Sequence, residues 1–600
     1  MMPNLRTAEG LLSAEEAAKV AFTDVKLAIQ QKQNFKLEAA AGAGKTYTLI
    51  QTLNWLLRDR DTFLPLEHQR IACLTYTNVA CEEIISRTDA NPLIFVATLH
   101  KFLWEMVSPY QEALSHELST IDYWKSAFQE NPSAVTLPVE YDLGFRRIHE
   151  DRVSIHHDDV PIVATALFEN RKFRKLITDK FPIILIDEYQ DTPEGLIQSI
   201  ISRTDSGNEP LVGLFGDAWQ TIYDKRCGSI DHPSLKIIEK PSNFRSDHSI
   251  VDLLNRMRPE LIQTPSDEAD TGTVKIYHTN NWPGQRLTHH FKSQISHQAV
   301  RTCLDWIRSN EGSRTDNAKT LMLTHSVIAQ EMGYPSLPKI YRDNDTFARK
   351  EDPVIAYLID VLEPAIKAFQ EQRFGDFFHL VSGARASLRA PSDKKRWSDL
   401  FEAIILARTT DTVSEVISLL LNQDLFAIPS AITHLQSKLE RHNSSEAVDE
   451  EELASSRRLT EYRDLCEIQY SEIIALRNYM DEGSVFSTKH SVKGAEFDDV
   501  TVVVGRGWAN YDFGKMLSWY NARHSLNAED RVRFERWRNL FYVAVSRARR
   551  NLTLLIVQDL DETAMQTLED WVGTENIASI EFSDDENVSE VKFEGSDSSF

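Results

Sequence analysis

The stretch that most constrains this 600-residue chain is residues 35–57. An apolar run, Phe35–Ala40, leads into Ala41-Gly42-Ala43-Gly44-Lys45-Thr46, and a helical pattern follows at Leu49, Ile50, Leu53, Leu56 and Leu57. Strand, small-residue loop and helix start, in that order, make a phosphate-binding loop. Small residues let backbone N–H groups approach phosphate oxygens, and the helix N-terminus adds partial positive charge. Ala41, Gly42, Ala43 and Gly44 are the positions expected around the phosphates. Lys45 is expected to reach the β- and γ-phosphates and Thr46 to hold Mg²⁺. The loop opens with Ala39, where glycine is usual.

A second apolar run, Phe181–Ile186, ends in Asp187-Glu188. Two adjacent acids at the end of a buried strand are costly unless a metal or proton chemistry uses them. Ligands of open α/β sheets bind at that edge. Asp187 is the expected Mg²⁺ ligand, and Glu188 the residue expected to polarise an attacking water.

Further apolar runs at Ile71–Thr77 and Leu211–Phe215 alternate with helical patterns, which predicts a parallel α/β sheet up to about residue 258. Within it, 102–178 reads as a mainly helical insertion. Pro259–Gly272 is polar and reads as a linker. Strand-like runs return at Val274–Tyr277, Thr320–Leu323, Val500–Val504 and Leu552–Val557. A helical block lies between them, with Asp352-Pro353 opening a helix. Ile355, Leu358, Ile359 and Leu362 repeat at helical spacing. The expected division is a first core over 1–101 and 179–258 with its insertion at 102–178. A second core follows over 259–344 and 484–558 with a helical insertion at 345–483, and then an acidic tail over 559–600.

Composition excludes little beyond a disordered or fibrous chain: 42% of residues are hydrophobic and 26% charged. No apolar run approaches the roughly 18 residues of a membrane span. Met1–Glu16 lacks a signal pattern, so a cytoplasmic protein without membrane contact is expected. Cys73, Cys81, Cys227, Cys303 and Cys466 form no CxxC pair and read as reduced thiols. The net charge of −24 argues against a broad basic footprint, but thirteen acids and one lysine after residue 558 supply half of it. Arg531–Arg550 carries seven arginines and one acid, so a local basic surface remains open.

Asp187-Glu188 continues as DEYQDT, residues 187–192, which resembles motif II of the UvrD/Rep-type superfamily 1 DNA helicases. The family's other motifs are resembled in order by TYTNVACEEI (75–84), ATLHKF (97–102), GDAWQTIY (216–223), NFRS (243–246), TKHSVKGAEF (488–497) and RNLFYVAVSRA (538–548). The resemblance implies two RecA-like cores, each interrupted by a mainly helical insertion, and a 3′→5′ motor driven by Mg-ATP on single-stranded or partly duplex DNA. It implies that Arg245 and Arg547 face the γ-phosphate, that Gln220 senses it, and that Glu496 meets the ribose. Cations aimed there stabilise the charge of phosphoryl transfer. For DNA it points to Thr77, Asn78, Thr98, His100, Thr488 and His490 near the strand, with Tyr76, Phe102, Trp219 and Tyr223 as base-stacking candidates.

The chain also departs from that family. The glutamine expected to read adenine, about twenty residues before the lysine, is replaced by the run Thr23-Asp24-Val25-Lys26. Phe244 stands where tyrosine is usual, and Tyr47 could flank the base from its other side. Little chain is left after residues 538–548, the last of these motifs, for a duplex-parting hairpin. A DNA-activated ATPase or translocase serving a partner nuclease, in repair or in defence against foreign DNA, is therefore the alternative. An NTPase acting without nucleic acid is a more distant one. His156-His157-Asp158-Asp159 has metal-ligand residue types, but neighbouring side chains on a strand point apart. Asp585 with Glu590 and Lys592 reads as solvated tail.

Overall fold

The computed structural model describes residues 12–141, 146–201, 209–222, 226–288, 292–311, 318–322, 329, 332–341, 347, 352–382, 391–421, 428–444, 457–480, 486–487, 495–507 and 511–580. The chain divides into two units, the larger formed by residues 1–295, 307–318 and 492–600 and the smaller by 296–306 and 319–491.

The larger unit is built first around a six-stranded parallel sheet. Its strands are β1 (Phe35–Ala39), β2 (Ile71–Thr75), β3 (Ile94–Thr98), β4 (Ile183–Asp187), β5 (Leu211–Gly216) and β6 (Lys236–Lys240), in the spatial order β3-β2-β4-β5-β1-β6. Every residue of β2 and β4 is buried. That is why the sequence shows unbroken apolar runs there instead of alternation: both faces of a parallel sheet are covered. The register sets Phe35 beside Gly213 and Ile183 beside Leu211. It brings the C-terminal ends of β1 and β4 to one edge. The outer strands β3 and β6 were not anticipated. In β6 the polar residues Lys236, Glu239 and Lys240 mask the pattern.

Ile71–Thr77 ends as a strand at Thr75, because Thr77 turns to cap the helix Asn78–Arg87 by accepting from the Ala80 N–H at 3.2 Å. The insertion after β3 mixes helices with a small three-stranded sheet, Val139–Tyr141, Arg147–Ile148 and Val153–Ile155. Its core is continuous with the sheet through Phe102, Trp124, Phe168 and Phe181.

A second parallel array in the same unit consists of β7 (Thr273–His278), β8 (Phe497–Val504), β9 (Ala548–Ile556) and β10 (Ile577–Ser579), ordered β8-β9-β7-β10. The helix Ala528–Val545 precedes β9, and the helix Glu562–Val572 follows it. β10 was not expected: the acidic tail begins inside the fold, and only 581–600 lie outside the described residues. Pro259–Gly272 is likewise more than a linker. Thr264–Pro265 pairs in parallel with Ser242–Asn243, and Gln263 is buried.

The smaller unit is largely helical. Asp352 caps its helix by accepting from Val354 and Ile355 N–H, as the Asp-Pro pair predicts. The helix continues through a π turn at Leu358–Leu362 into Glu363–Gln370. Phe369, Phe377, Trp397 and Phe401 form its aromatic core, and Arg408 meets the buried Glu363 at 2.9 Å. Lys319–Met322 pairs in parallel with Phe486–Ser487.

Candidate nucleotide site and nucleic-acid face

The phosphate loop bridges β1 and the helix Lys45–Arg58. Gly42 and Gly44 both take positive φ, +76° and +73°, which only glycine adopts without strain. Protein donors hold the loop's carbonyls from behind. Asn243 and Gln263 donate to the Ala41 carbonyl at 3.2 and 3.0 Å, the Phe244 N–H to Gly42 at 2.9 Å, and Lys240 Nζ to Gly44 at 3.1 Å. Tyr542 Oη accepts from the Ala41 N–H at 3.3 Å. This backing fixes the loop in a curve that suits phosphate oxygens.

The acids sit where the topology puts them. Thr46 Oγ1 donates to Asp187 Oδ2 at 3.3 Å, and the Glu188 N–H to Asp187 Oδ1 at 3.0 Å. Burial, and next the Glu188 charge, raise the Asp187 carboxyl to about 7, against the opposing pull of Lys45. A carboxylate this costly to ionise beside a threonine hydroxyl fits a divalent cation, which would restore its charge. Glu188 is held in a left-handed backbone at φ 50°. Its carboxylate accepts from Gln190 Nε2. Lys45 Nζ lies 3.4 Å from the Ala39 carbonyl.

Arg245 Nε pairs with Glu496 at 2.6 Å, and its Nη1 reaches the Ser546 carbonyl at 3.2 Å. Arg547 is 1% exposed and donates to the Val543 and Ala495 carbonyls at 2.9 and 3.3 Å. Burial, with Arg245 beside it, lowers its guanidinium to about 9. Gln220 Nε2 donates to Asp217 Oδ2 at 2.8 Å. Tyr47 and Phe244 are 58% and 45% exposed, and both approach Gly44.

Sequence reasoning missed Lys240, Asn243, Gln263 and Tyr542. Lys240 is 1% exposed, donates to Thr48 Oγ1 at 2.8 Å, and is lowered to about 8 by burial and Lys45. A lysine on a strand that otherwise reads as amphipathic carries no signal of its own.

Of the residues expected near the strand, Thr77 and Asn78 are exposed, and Thr98 caps its helix by accepting from the Lys101 N–H. Tyr76 is half-buried, with the Arg226 guanidinium 5.7 Å from its ring centre. The His100 ring stacks on His157 at 3.5 Å, and burial, with His157 and Arg226 nearby, lowers it to about 3. Two stacking candidates are corrected. Phe102 is 0% exposed and packs against Phe95 and Phe181 in the core. Trp219 is 8% exposed, and its ring is taken by Arg538 at 3.7 Å and Arg258 at 5.2 Å. Tyr223, Thr488 and His490 lie outside the described residues.

The four residues His156–Asp159 do separate things. Asp159 is fully buried, with Arg146 at 2.7 Å and Trp124 Nε1 at 3.1 Å, whereas His157 faces His100. Among the described residues no cluster of three or more His, Cys, Asp or Glu could hold a metal, and no helix is long and apolar enough to cross a membrane.

A phosphate loop closing one parallel sheet, an acid pair at the same edge two strands away, and Arg245 and Arg547, the latter leading into a second parallel array, define a P-loop NTPase with two RecA-like sheets. Residues 24–226 match the family model described as an AAA domain. The chain is 23% identical to Gabija protein GajB of Bacillus cereus (strain HuB5-5), over 89% of this chain and 94% of that protein. It is 23% identical to the ATP-dependent DNA helicase Rep of Escherichia coli (strain K12), over 44% of this chain and 48% of Rep, so that match spans about half of Rep. It is 20% identical to the ATP-dependent DNA helicase PcrA of Staphylococcus aureus (strain Mu50), over 85% of this chain and 79% of PcrA. The family-model match and these likenesses support a UvrD/Rep-type superfamily 1 helicase.

Proposed function

We propose that the chain hydrolyses Mg-ATP to move along single-stranded DNA, 3′→5′, in the cytoplasm. The observation that carries this is the meeting of Thr46 with Asp187 at 3.3 Å beneath a loop whose carbonyls are already bound. The loop and Lys45 bind the phosphates. Thr46 and Asp187 would hold Mg²⁺, which would supply charge neutralisation to the phosphates. Glu188 orients a water for attack on the γ-phosphorus and accepts its proton. Gln220 faces the γ-phosphate from the segment 216–223. Arg245 and Arg547 supply cations to the transition state, an effect worth on the order of 10³–10⁵ in rate for an arginine finger. Tyr47 and Phe244 offer exposed rings beside Gly44 for the base, and Glu496 lies beside Arg245 for the ribose. Thr77, Asn78, Thr98, His100 and Tyr76 provide hydroxyl, amide and ring contacts for a strand, joined by Tyr223, Thr488 and His490 by resemblance.

A second reading makes this ATPase a DNA-activated subunit working with a nuclease, in repair or in defence against foreign DNA. The likeness to Gabija protein GajB over 94% of that protein, against 79% of PcrA and 48% of Rep, favours it. So does the chain after β9, which among the described residues forms a helix and a parallel strand where a duplex-parting hairpin would be needed. Steady-state ATP hydrolysis with and without single-stranded DNA tests the shared core of both readings. A large stimulation that Glu188→Gln abolishes supports it. Hydrolysis indifferent to DNA sinks it. Translocation without strand separation would favour the second reading over an autonomous helicase.

A further inference from the structure

Arg258 ends the helix His248–Met257 and belongs to none of the helicase motifs, yet it is 4% exposed and faces two carboxylates. Its Nη1 donates to Asp217 Oδ1 at 2.7 Å and its Nη2 to Glu38 Oε1 at 3.2 Å. A guanidinium so deeply buried persists only when paired, and this one is hydrogen-bonded to two carboxylates, with the exposed Glu260 a third at 3.9 Å.

Both partners lead towards the nucleotide site. Asp217 is 0% exposed and takes Gln220 Nε2 on its second oxygen at 2.8 Å. The Asp217 N–H donates to Gln190 Oε1 at 3.1 Å, and Gln190 Nε2 donates to Glu188 Oε2. Glu38 lies on β1, one residue before the loop begins to turn. It accepts from Tyr189 Oη at 2.8 Å and from the Ala218 N–H at 3.1 Å. Arg258 is thus the hub of a closed set of bonds joining the strand before the phosphate loop, the segment after the acid pair and the segment carrying Gln220. Without the guanidinium, Asp217 would lose its ion pair inside a buried site, while Glu38 would keep Lys36 at 3.6 Å. The inexpensive responses, a proton on Asp217 or a rotation of its carboxylate, each disturb the bond that sets Gln220, and a shift of the segment to relieve the charge would carry the Asp217 N–H away from Gln190.

We propose that Arg258 is a positioning residue for ATP hydrolysis: through Asp217 it fixes the amide of Gln220, and through Asp217 and Gln190 it aims the carboxylate of Glu188. This rests on the hydrolysis reading above. Arg258 touches neither nucleotide nor water in this role, so its loss should slow turnover while leaving nucleotide affinity in place.

The test uses the full chain with saturating single-stranded DNA, comparing native protein, Arg258→Met, Arg258→Lys and Gln190→Leu. The readouts are kcat and KM for ATP, binding of a fluorescent ATP analogue, and the urea unfolding midpoint. Arg258→Met should lower kcat roughly 10- to 100-fold, as removal of a transition-state-only interaction does, with KM and analogue affinity within about threefold of native. Arg258→Lys should recover part of the loss, because an ammonium can serve one carboxylate. Native-like kcat in folded Arg258→Met overturns the proposal. So does a kcat that falls only in proportion to the folded fraction, with no recovery in the lysine variant. If Arg258→Met does not fold, Gln190→Leu decides. It cuts the line from Asp217 to Glu188 and leaves the ion pairs of Arg258 intact, so native-like kcat there refutes the relay. Native protein that hydrolyses no ATP would instead defeat the hydrolysis reading, a failure visible before any variant is compared.

Discussion

Gly42→Ala places a methyl group where the phosphate loop has no room for it. An ideal Cβ at residue 42 would lie 2.6 Å from Asn243 Oδ1 and 2.9 Å from Arg245 Cβ. The backbone contributes first: φ is +76°, and an L-residue held in the left-handed region costs about 1–2 kcal/mol. The clash contributes next. Asn243 Oδ1 accepts from the Arg245 and Ser246 N–H groups, both at 2.9 Å, and its amide nitrogen holds the Ala41 carbonyl. Moving that oxygen aside forfeits two bonds worth about 1 kcal/mol each. The total, about 3–4 kcal/mol, falls on the phosphate-binding geometry, and at about 1.4 kcal/mol per decade it corresponds to a loss of about 10²–10³-fold in kcat/KM for ATP. The control is Gly195→Ala. Its φ is +83°, but nothing lies within 4 Å of the added Cβ, so it bears the backbone cost alone and keeps native activity. DNA-stimulated ATPase and thermal unfolding of the two variants settle the matter. Gly42→Ala with kcat/KM within twofold of native and an unchanged Tm would refute the reasoning.

Two further outcomes are expected. Phe102→Ala should cost about 3–5 kcal/mol in the urea unfolding free energy, as for a large aromatic removed from a core, while the folded variant keeps native affinity for single-stranded DNA; lost DNA affinity with unchanged stability would restore Phe102 to the strand path. His100 should make the fold sensitive to mild acid. Its folded pKa is about 3 against 6.5 unperturbed, so the unfolded chain takes up the proton first and stability falls as pH drops from about 6.5 towards 3. At pH near 5 this amounts to up to about 2 kcal/mol, and His100→Gln should lose correspondingly less than native protein between pH near 7 and pH near 5 in urea titrations; equal losses would show that His100 does not stay neutral in the fold.

The parts of the site legible in the sequence are those written in consecutive residues. Strand, loop, Lys45 and Thr46 form one local unit, and so do β4 and Asp187-Glu188. Their meeting follows from the parallel order that buried apolar runs impose. What could not be read is the backing of the loop. Lys240, Asn243 and Gln263 lie some two hundred residues away, on a strand masked by its own lysines and in a segment whose prolines and acids look like a linker. The aromatics failed for a different reason. Phe102 follows His100 by two positions on a short helix, and a two-residue step turns it to the opposite face, into the core, while His100 stays towards His157. A motif match fixes residue types in order and leaves open which face each one takes.

Trp219 shows what such a residue does instead. It sits between the strand edge carrying Asp217 and the helix Ala528–Val545, with Arg258 and Arg538 on its ring and Tyr542 edge-on at 5.3 Å. Two guanidinium groups on one indole would repel each other unless their charges were managed. Arg258 is neutralised by Asp217 and Glu38, and the Glu535 and Glu260 carboxylates lie near enough to Arg538 to favour its charge. Each cation–π contact of a desolvated guanidinium is worth about 0.5–2 kcal/mol, enough to make the ring a joint between the first sheet and the helix that leads to Arg547. Asn539 reinforces the joint from the neighbouring position by donating to the Ala218 and Thr221 carbonyls at 3.3 and 3.2 Å. An indole used this way has no face left for a base. Its energetic role is to tie the placement of Arg547 to the segment that carries Gln220, so the two γ-phosphate groups expected from opposite sheets answer to the same buried contact.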